Sequence, residues 1–353
     1  MSNWEKNVRK VVPYVPGEQP NKEKMIKLNT NENPYPPAPG VQKVLEDFQI
    51  DRLRLYPDPV VGKLVSAIAD NYGVKKEQVF VGVGSDDVLA MIFMTFFNSK
   101  TPILFPDITY SFYDVWADML RIPYVKIPLD EHFCIQPEDY KKKNGGIIFP
   151  NPNAPTGELL ALEQVEAIIK ANPDVCVVVD EAYIDFGGES ALPLVEKYDN
   201  VIVVQTFSKS RSMAGSRIGF AISNEKMIKY LNDVKYSFNS YTMDALTIEL
   251  GTAAIEDQAY FEMTKEKIIA TREWTKEELK KLGFQFGDSK SNFIFASHET
   301  IPAVELFEAL READIYVRYF KKPERINNYL RISIGTQEEM EVFIAFLKKY
   351  IYK

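Results

Sequence analysis

The chain has 353 residues, 46% of them hydrophobic and 26% charged, with a formal net charge of -8 when histidines are neutral. That size and balance suit a folded protein with one large core and a smaller one and exclude a disordered chain, while the acidic balance argues against a nucleic-acid or anionic-membrane surface and leaves room for a local basic pocket around a small phosphate. Two cysteines, Cys134 and Cys176, and two histidines, His132 and His298, are too few and too scattered for a disulfide framework, a metal site or a Ser-His-Asp triad, so the chemistry has to come from lysine, carboxylates, tyrosine or a cofactor.

No charged-then-apolar segment opens the chain, and no apolar run approaches the roughly 20 residues of a membrane span. The cytoplasm is the expected compartment. Residues 1–40 are rich in proline, asparagine and tyrosine. Proline removes amide donors and fixes φ, so this stretch reads as an extended arm, either a linker or a segment draped over a site. Residues 41–48 follow as a short helix, Arg54-Leu55-Tyr56-Pro57-Asp58 as a loop, and residues 62–72 as a helix with apolar residues at helical spacing.

Val79-Phe80-Val81-Gly82-Val83-Gly84-Ser85-Asp86-Asp87 passes from a strand through glycines into a helix over 88–97. Free amides at such a helix start bind phosphate. Asp87 stands where a dinucleotide pattern wants a third glycine, which favours a single phosphate over NAD. Strands are predicted at 103–105, 124–127 and 147–149, with a helix over 111–120 between the first two. Alternation of strands and helices points to an α/β fold with a mostly parallel sheet covered on both faces. The turn formers of residues 150–157 make a rigid loop at the carboxyl edge of that sheet, where ligands bind, and a helix over 162–170 follows.

Residues 177–179 read as a strand ending at Asp180-Glu181-Ala182-Tyr183, and residues 201–204 as one leading into Gln205-Thr206-Phe207-Ser208-Lys209. A lysine amine beside one buried strand end, with a carboxylate at another, suits a carbonyl cofactor held as a Schiff base. After a strand at 218–222, a long helical stretch runs over about 243–282 with an interruption near Asp257. Strand and helix then alternate at 293–295, 302–312, 315–318, 330–334 and 338–350. The expected division is an arm at 1–40, a large domain at 41–250 and a small domain at 251–353.

Together and in this order, several motifs make the chain resemble the fold-type I pyridoxal-phosphate aminotransferases over essentially its whole length, most closely the branch acting on histidinol phosphate. They are Leu28-Asn29-Thr30-Asn31-Glu32-Asn33-Pro34, Tyr56-Pro57, Gly84-Ser85-Asp86, Tyr110, Asn151-Pro152-Asn153-Ala154-Pro155-Thr156-Gly157, Asp180-Glu181-Ala182-Tyr183, Ser208-Lys209 with Arg217, and Arg318 with Arg331. The resemblance implies a large domain built on a mostly parallel seven-stranded sheet, and a small α/β domain formed by the carboxyl-terminal part and the arm.

It also implies pyridoxal 5′-phosphate on Lys209, Asp180 at the ring nitrogen, Tyr183 at the phenolic oxygen and Tyr110 stacked on the ring. The phosphate would be held by Ser85, Asp86, Thr206, Ser208 and Arg217, with Asp86 acting through its backbone amide and its carboxylate turned to the helix end. Tyr56 would reach the neighbouring site of a homodimer. Tyr14, Arg318 and Arg331 would hold the substrate. Where the family usually has an asparagine at the phenolic oxygen this chain has Ala154; either Asn153 substitutes or Tyr183 acts alone. The implied reaction exchanges an amino group between L-histidinol phosphate and 2-oxoglutarate. Alternatives are an aminotransferase for aromatic or other amino acids and an amino-acid phosphate decarboxylase with the same cofactor.

Overall fold

In the computed structural model, residues 3–15, 17–22 and 24–352 are described. Two sheets organise them. In chain order the strands are β1 (Ile26–Leu28), β2 (Val79–Gly82), β3 (Ile103–Pro106), β4 (Tyr124–Ile127), β5 (Ile147–Pro150), β6 (Val177–Asp180), β7 (Val201–Thr206), β8 (Gly219–Ile222), β9 (Phe284–Phe286), β10 (Phe293–His298), β11 (Ile315–Tyr319) and β12 (Leu330–Ser333). The larger sheet has seven strands in the order β2-β8-β7-β6-β5-β3-β4, the smaller five in the order β1-β11-β12-β10-β9. In the larger sheet only β8 runs antiparallel to its neighbours.

The apolar runs of β6 and β7 are buried on both faces, as a parallel sheet covered by helices requires. Successive side chains point to opposite faces. Val178, Ile202 and Val204 join the core under the helices Ser85–Phe96 and Glu225–Phe238, while Val177, Val179, Val201 and Val203 join the one under Leu162–Ala171. Register brings the strand ends together: Pro150 pairs with Asp180 and Asp180 with Val204, so β5, β6 and β7 end at one edge.

The structure departs from the sequence reading at several points. The helix Glu225–Phe238 was not anticipated, although Asn224 caps it through Met227 N and Met227, Ile228, Leu231 and Lys235 form its buried stripe. The interruption expected near Asp257 divides the long helical stretch into two helices, Ala245–Glu256 and Gln258–Lys281, with Asp257 capping the second. Ile248, Leu250, Ala254 and Ile255 pack with residues of β2 and β8. A boundary at residue 250 therefore cuts a helix packed on the larger sheet, and the change of core falls within the next helix, between Tyr260 and Ile268.

The arm is only partly loose chain, because β1 pairs in parallel with β11 and so belongs to the smaller sheet. Arg272, fully buried on the helix Gln258–Lys281, ties the units together by donating to Phe186 O at 2.7 Å and Ser291 O at 3.0 Å. Among the described residues no helix is long and apolar enough to cross a membrane.

Candidate active site

At the carboxyl edge of β5, β6 and β7 lies a cavity of about 190 Å³, with Ser85, Tyr110, Asp180, Tyr183, Lys209 and Arg217 in its wall. Lys209 enters it from a turn whose backbone is clamped. Ser208 N donates to Thr206 Oγ1, Phe207 N to Ile218 O and Met213 N to Phe207 O. From the arm, Asn33 Nδ2 donates to Lys209 O at 2.9 Å and to Ser210 O at 3.2 Å. The lysine side chain is nearly unencumbered by comparison. Its Nζ lies 3.5 Å from Thr30 O and 5.7 Å from the centroid of the Tyr183 ring.

One end of the cavity is built for an anion. The helix Ser85–Phe96 starts after Gly84 with no side chain capping it, so its first-turn amides are free to donate. Gly84 has φ +85, and a Cβ there would lie 2.5 Å from Arg217 Nη2, so only glycine lets the guanidinium lie over the helix start. Thr206 and Ser208 bring two hydroxyls 3.0 Å apart to the same wall.

Asp86 behaves otherwise than expected. Its carboxylate does not turn to the helix end but accepts from Tyr110 Oη at 2.7 Å and pairs with Arg217 at 3.3 Å. The role of capping the turn falls to Asp87, which accepts from Val83 N at 2.9 Å. Burial, with Asp86 adding to it, holds the Tyr110 hydroxyl protonated.

At the other end Asp180 is buried, bonded to Tyr113 Oη at 2.8 Å and Ala182 N at 3.3 Å, neither of them cationic. Burial pushes its carboxyl up to about 6, against the two hydrogen bonds. A carboxylate so placed is stabilised by any cationic N–H entering the cavity. Its neighbour Glu181 is turned away from the cavity and accepts from Ser190 Oγ, Ala191 N and Gln205 Nε2.

Burial pushes Glu181 up to about 7 from the usual 4.5. A carboxyl raised on folding adds stability that is whole below its unfolded pKa and lost as pH rises through the folded one. The thermal midpoint of the wild type minus that of Glu181→Gln is therefore expected to shrink between about pH 5 and 8. A flat difference would mean that Glu181 is ionised throughout.

Beyond Tyr110 a second cavity, of about 380 Å³, takes Tyr14, Ile108, Tyr110, Arg318 and Phe320 into its wall. Tyr14 stacks on Phe112 with ring centroids 4.2 Å apart. Arg318 and Arg331 face one another in the register of β11 and β12. Arg331 lies between the Phe293 and Phe320 rings and donates Nη2 to Asn29 O at 3.1 Å, while its buried Nε has no partner. Burial, with Arg318 adding to it, lowers the Arg331 pKa. Among the described residues neither arginine meets a carboxylate.

Two of the residues expected at the cofactor are not in the first cavity, and Arg331 is in the wall of neither. Asn153 is buried, with Nδ2 donating to Ile108 O and Thr156 Oγ1, both at 3.0 Å; the wall at this point is Ala154. Asn153 does not take over from the missing asparagine. Tyr56 is 84% exposed, against Tyr241 on the surface of its own chain. Conversely, Thr30, Asn31, Glu32 and Asn33 were not foreseen as site residues. The signals for them were the Leu28–Pro34 motif of the resemblance and the density of asparagine and proline in an arm suited to drape over a site.

The family profile described as aminotransferase class I and II matches residues 23–347. The chain is 52% identical over 349 residues to the histidinol-phosphate aminotransferase of Lactococcus lactis subsp. cremoris, covering 99% of this chain and 98% of that protein. It is 54% identical over 346 residues to that of Brachyspira hyodysenteriae, covering 98% and 97%. A histidinol-phosphate aminotransferase from Sinorhizobium meliloti, solved in complex with pyridoxal-5′-phosphate, superposes with a TM-score of 0.83 at 24% identity. That match covers 93% of this chain and 92% of that one and shows the likeness of fold.

Proposed function

The chain belongs to the class I and II aminotransferases, and from that premise we propose that it exchanges an amino group between L-histidinol phosphate and 2-oxoglutarate, in histidine biosynthesis. Pyridoxal 5′-phosphate is the proposed cofactor, carried on Lys209. The residues fit it: a buried carboxylate lacking a cation at one end, free helix amides and Arg217 at the other, and the lysine between. Bound there, the cofactor supplies a sink for the electron pair left when the C–H bond at the amino-bearing carbon breaks.

This chain's residues do the rest. Lys209 Nζ takes the proton from that carbon and returns it, a task suited to an amine with few competing bonds. Asp180 favours a protonated ring nitrogen by its negative charge. Arg217, Ser208, Thr206 and the Ser85 and Asp86 amides hold the phosphate, and Tyr110 covers the ring face. Tyr183 directs its hydroxyl to the ring oxygen. Tyr56, exposed in one chain, is proposed to reach the phosphate of a second copy, making the enzyme a homodimer; the proposed compartment is the cytoplasm.

The observation that carries the substrate reading is the pair Arg318 and Arg331, in register and without an acidic partner, with Arg331 Nε left unsatisfied in the interior. Two half-buried guanidinium groups without a carboxylate, one with its Nε unpartnered in the interior, favour an anion between them. The phosphate of histidinol phosphate answers that need in one half-reaction and a carboxylate of glutamate in the other. The aromatic second cavity beside Tyr14 and Phe320 suits a flat imidazole.

Adding L-glutamate to the cofactor-loaded protein is expected to shift the cofactor absorbance, and turnover should then favour histidinol phosphate over phenylalanine and tyrosine. An unchanged spectrum with release of carbon dioxide from an amino-acid phosphate would replace the reading by a decarboxylase.

A further inference from the structure

Ala154 deprives the cavity of one side-chain donor, which leaves Tyr183 to direct a proton inward. A tyrosine hydroxyl has one proton and swings freely unless something fixes it. The fixing group is Asn31. Its Nδ2 donates to Tyr183 Oη at 2.9 Å, and both side chains are buried.

The orientation of the Asn31 amide follows from proton counting. Ser333 Oγ accepts from Asn31 N at 2.9 Å and lies 2.9 Å from Asn31 Oδ1. Ser333 is 2% exposed, and its single proton has no other acceptor among the described residues, so it donates to Oδ1. Oδ1 is then committed to Ser333, and Nδ2 is the atom that faces Tyr183. Asn31 is itself pinned: its carbonyl accepts from Asn292 Nδ2 at 3.0 Å, and its backbone sits at φ 55, a region that asparagine and aspartate tolerate better than other non-glycine residues.

We propose that Asn31 is a positioning residue which makes Tyr183 an obligate donor toward the ring oxygen of the bound cofactor, in place of the asparagine that Ala154 replaces. Because Oη already accepts from Asn31, its own proton turns away from the arm and into the cavity. The anchor is Ser333, two residues after Arg331 on β12, so one strand both meets the substrate anion and sets the Tyr183 proton. This role rests on the proposed cofactor reading.

A donor on the ring oxygen stabilises its deprotonated form and lowers the pKa at which the bound chromophore changes colour. The test is an absorbance titration against pH of the protein reconstituted with pyridoxal 5′-phosphate, with no substrate present. Asn31→Asp keeps the size and backbone tolerance but reverses the polarity, since its carboxylate takes the Tyr183 proton. Asn31→Asp and Tyr183→Phe are each expected to raise the spectral pKa by about one unit or more. The double variant Asn31→Asp/Tyr183→Phe is expected to titrate like Tyr183→Phe, because Asn31 acts through Tyr183.

Ser333→Ala, which frees the amide, should give a smaller shift in the same direction; this reports on the same chain of bonds should Asn31→Asp fail to fold by circular dichroism. An unchanged pKa in Asn31→Asp, or in Ser333→Ala where that variant must stand alone, overturns the proposal. Shifts from Asn31→Asp and Tyr183→Phe that simply add would mark the first as bare charge and overturn it as well. A wild-type protein that takes up no chromophore overturns the cofactor reading, and this role with it; a wild type that titrates isolates the role of Asn31.

Discussion

Lys209→Ala is expected to abolish the absorbance of the lysine-bound cofactor and to slow the glutamate half-reaction by about 10²–10⁴-fold through loss of the proton carrier alone. The effect should be chemical, not structural. The backbone of the turn accepts from Asn33 Nδ2 and donates to Thr206 Oγ1 and Ile218 O, and none of these bonds needs the lysine side chain. Its Nζ has only a long contact to Thr30 O, so the thermal midpoint of the variant without cofactor should stay near that of the wild type. Rapid mixing with L-glutamate reads the rate and a spectrum reads the attachment. Turnover within tenfold of wild type would remove Lys209 from the mechanism.

Arg331→Ala is expected to raise KM for histidinol phosphate and for glutamate together, by roughly 10²-fold, near the low end of the about 2–5 kcal/mol lost when one partner of a hydrogen-bonded charge pair is truncated, since the residue is half-buried. Both substrates should suffer because the proposed function brings the anion of each to the same corner. The guanidinium also packs between Phe293 and Phe320 and bonds Asn29 O, so some stability goes with it. Arg331→Lys keeps the charge without the fork and should recover only part of the affinity. Steady-state kinetics with each substrate in turn decides the matter. Normal glutamate kinetics in the alanine variant would place the carboxylate on another group.

The parts of the molecule that could be read from the chain are those whose signal is local. The valine runs of β6 and β7, Gly84 ahead of an apolar helix and Lys209 after a buried strand each announce themselves within a few residues. What escaped is set by distant partners. Asn153 lies in the right loop, yet Ile108 O claims its amide from 45 residues away. Asp86 turns to Tyr110 and Arg217 because the fold brings them to it.

The helix Glu225–Phe238 was hidden because Tyr230, Tyr236 and Phe238 are apolar yet exposed and blur the stripe made by its buried residues. The three residues of β1 are too few to show a period. Facing Arg318 with Arg331 needed the register of two strands, which neither segment contains.

The parallel pairing of β1 with β11 joins Ile26 to Ile315, a separation of 315 − 26 = 289 residues. During synthesis at about 5–20 residues per second, the arm waits roughly 15–60 s after its own emergence before its partner strand exists. The seven strands of the larger sheet lie between residues 79 and 222 and are all available sooner. The seven strands beside Lys209 thus emerge well before the arm, with Asn29, Asn31 and Asn33, can dock on β11. A nascent chain stalled before residue 315 would therefore present Lys209 beside its strands without the β1–β11 pairing that seats the arm near it.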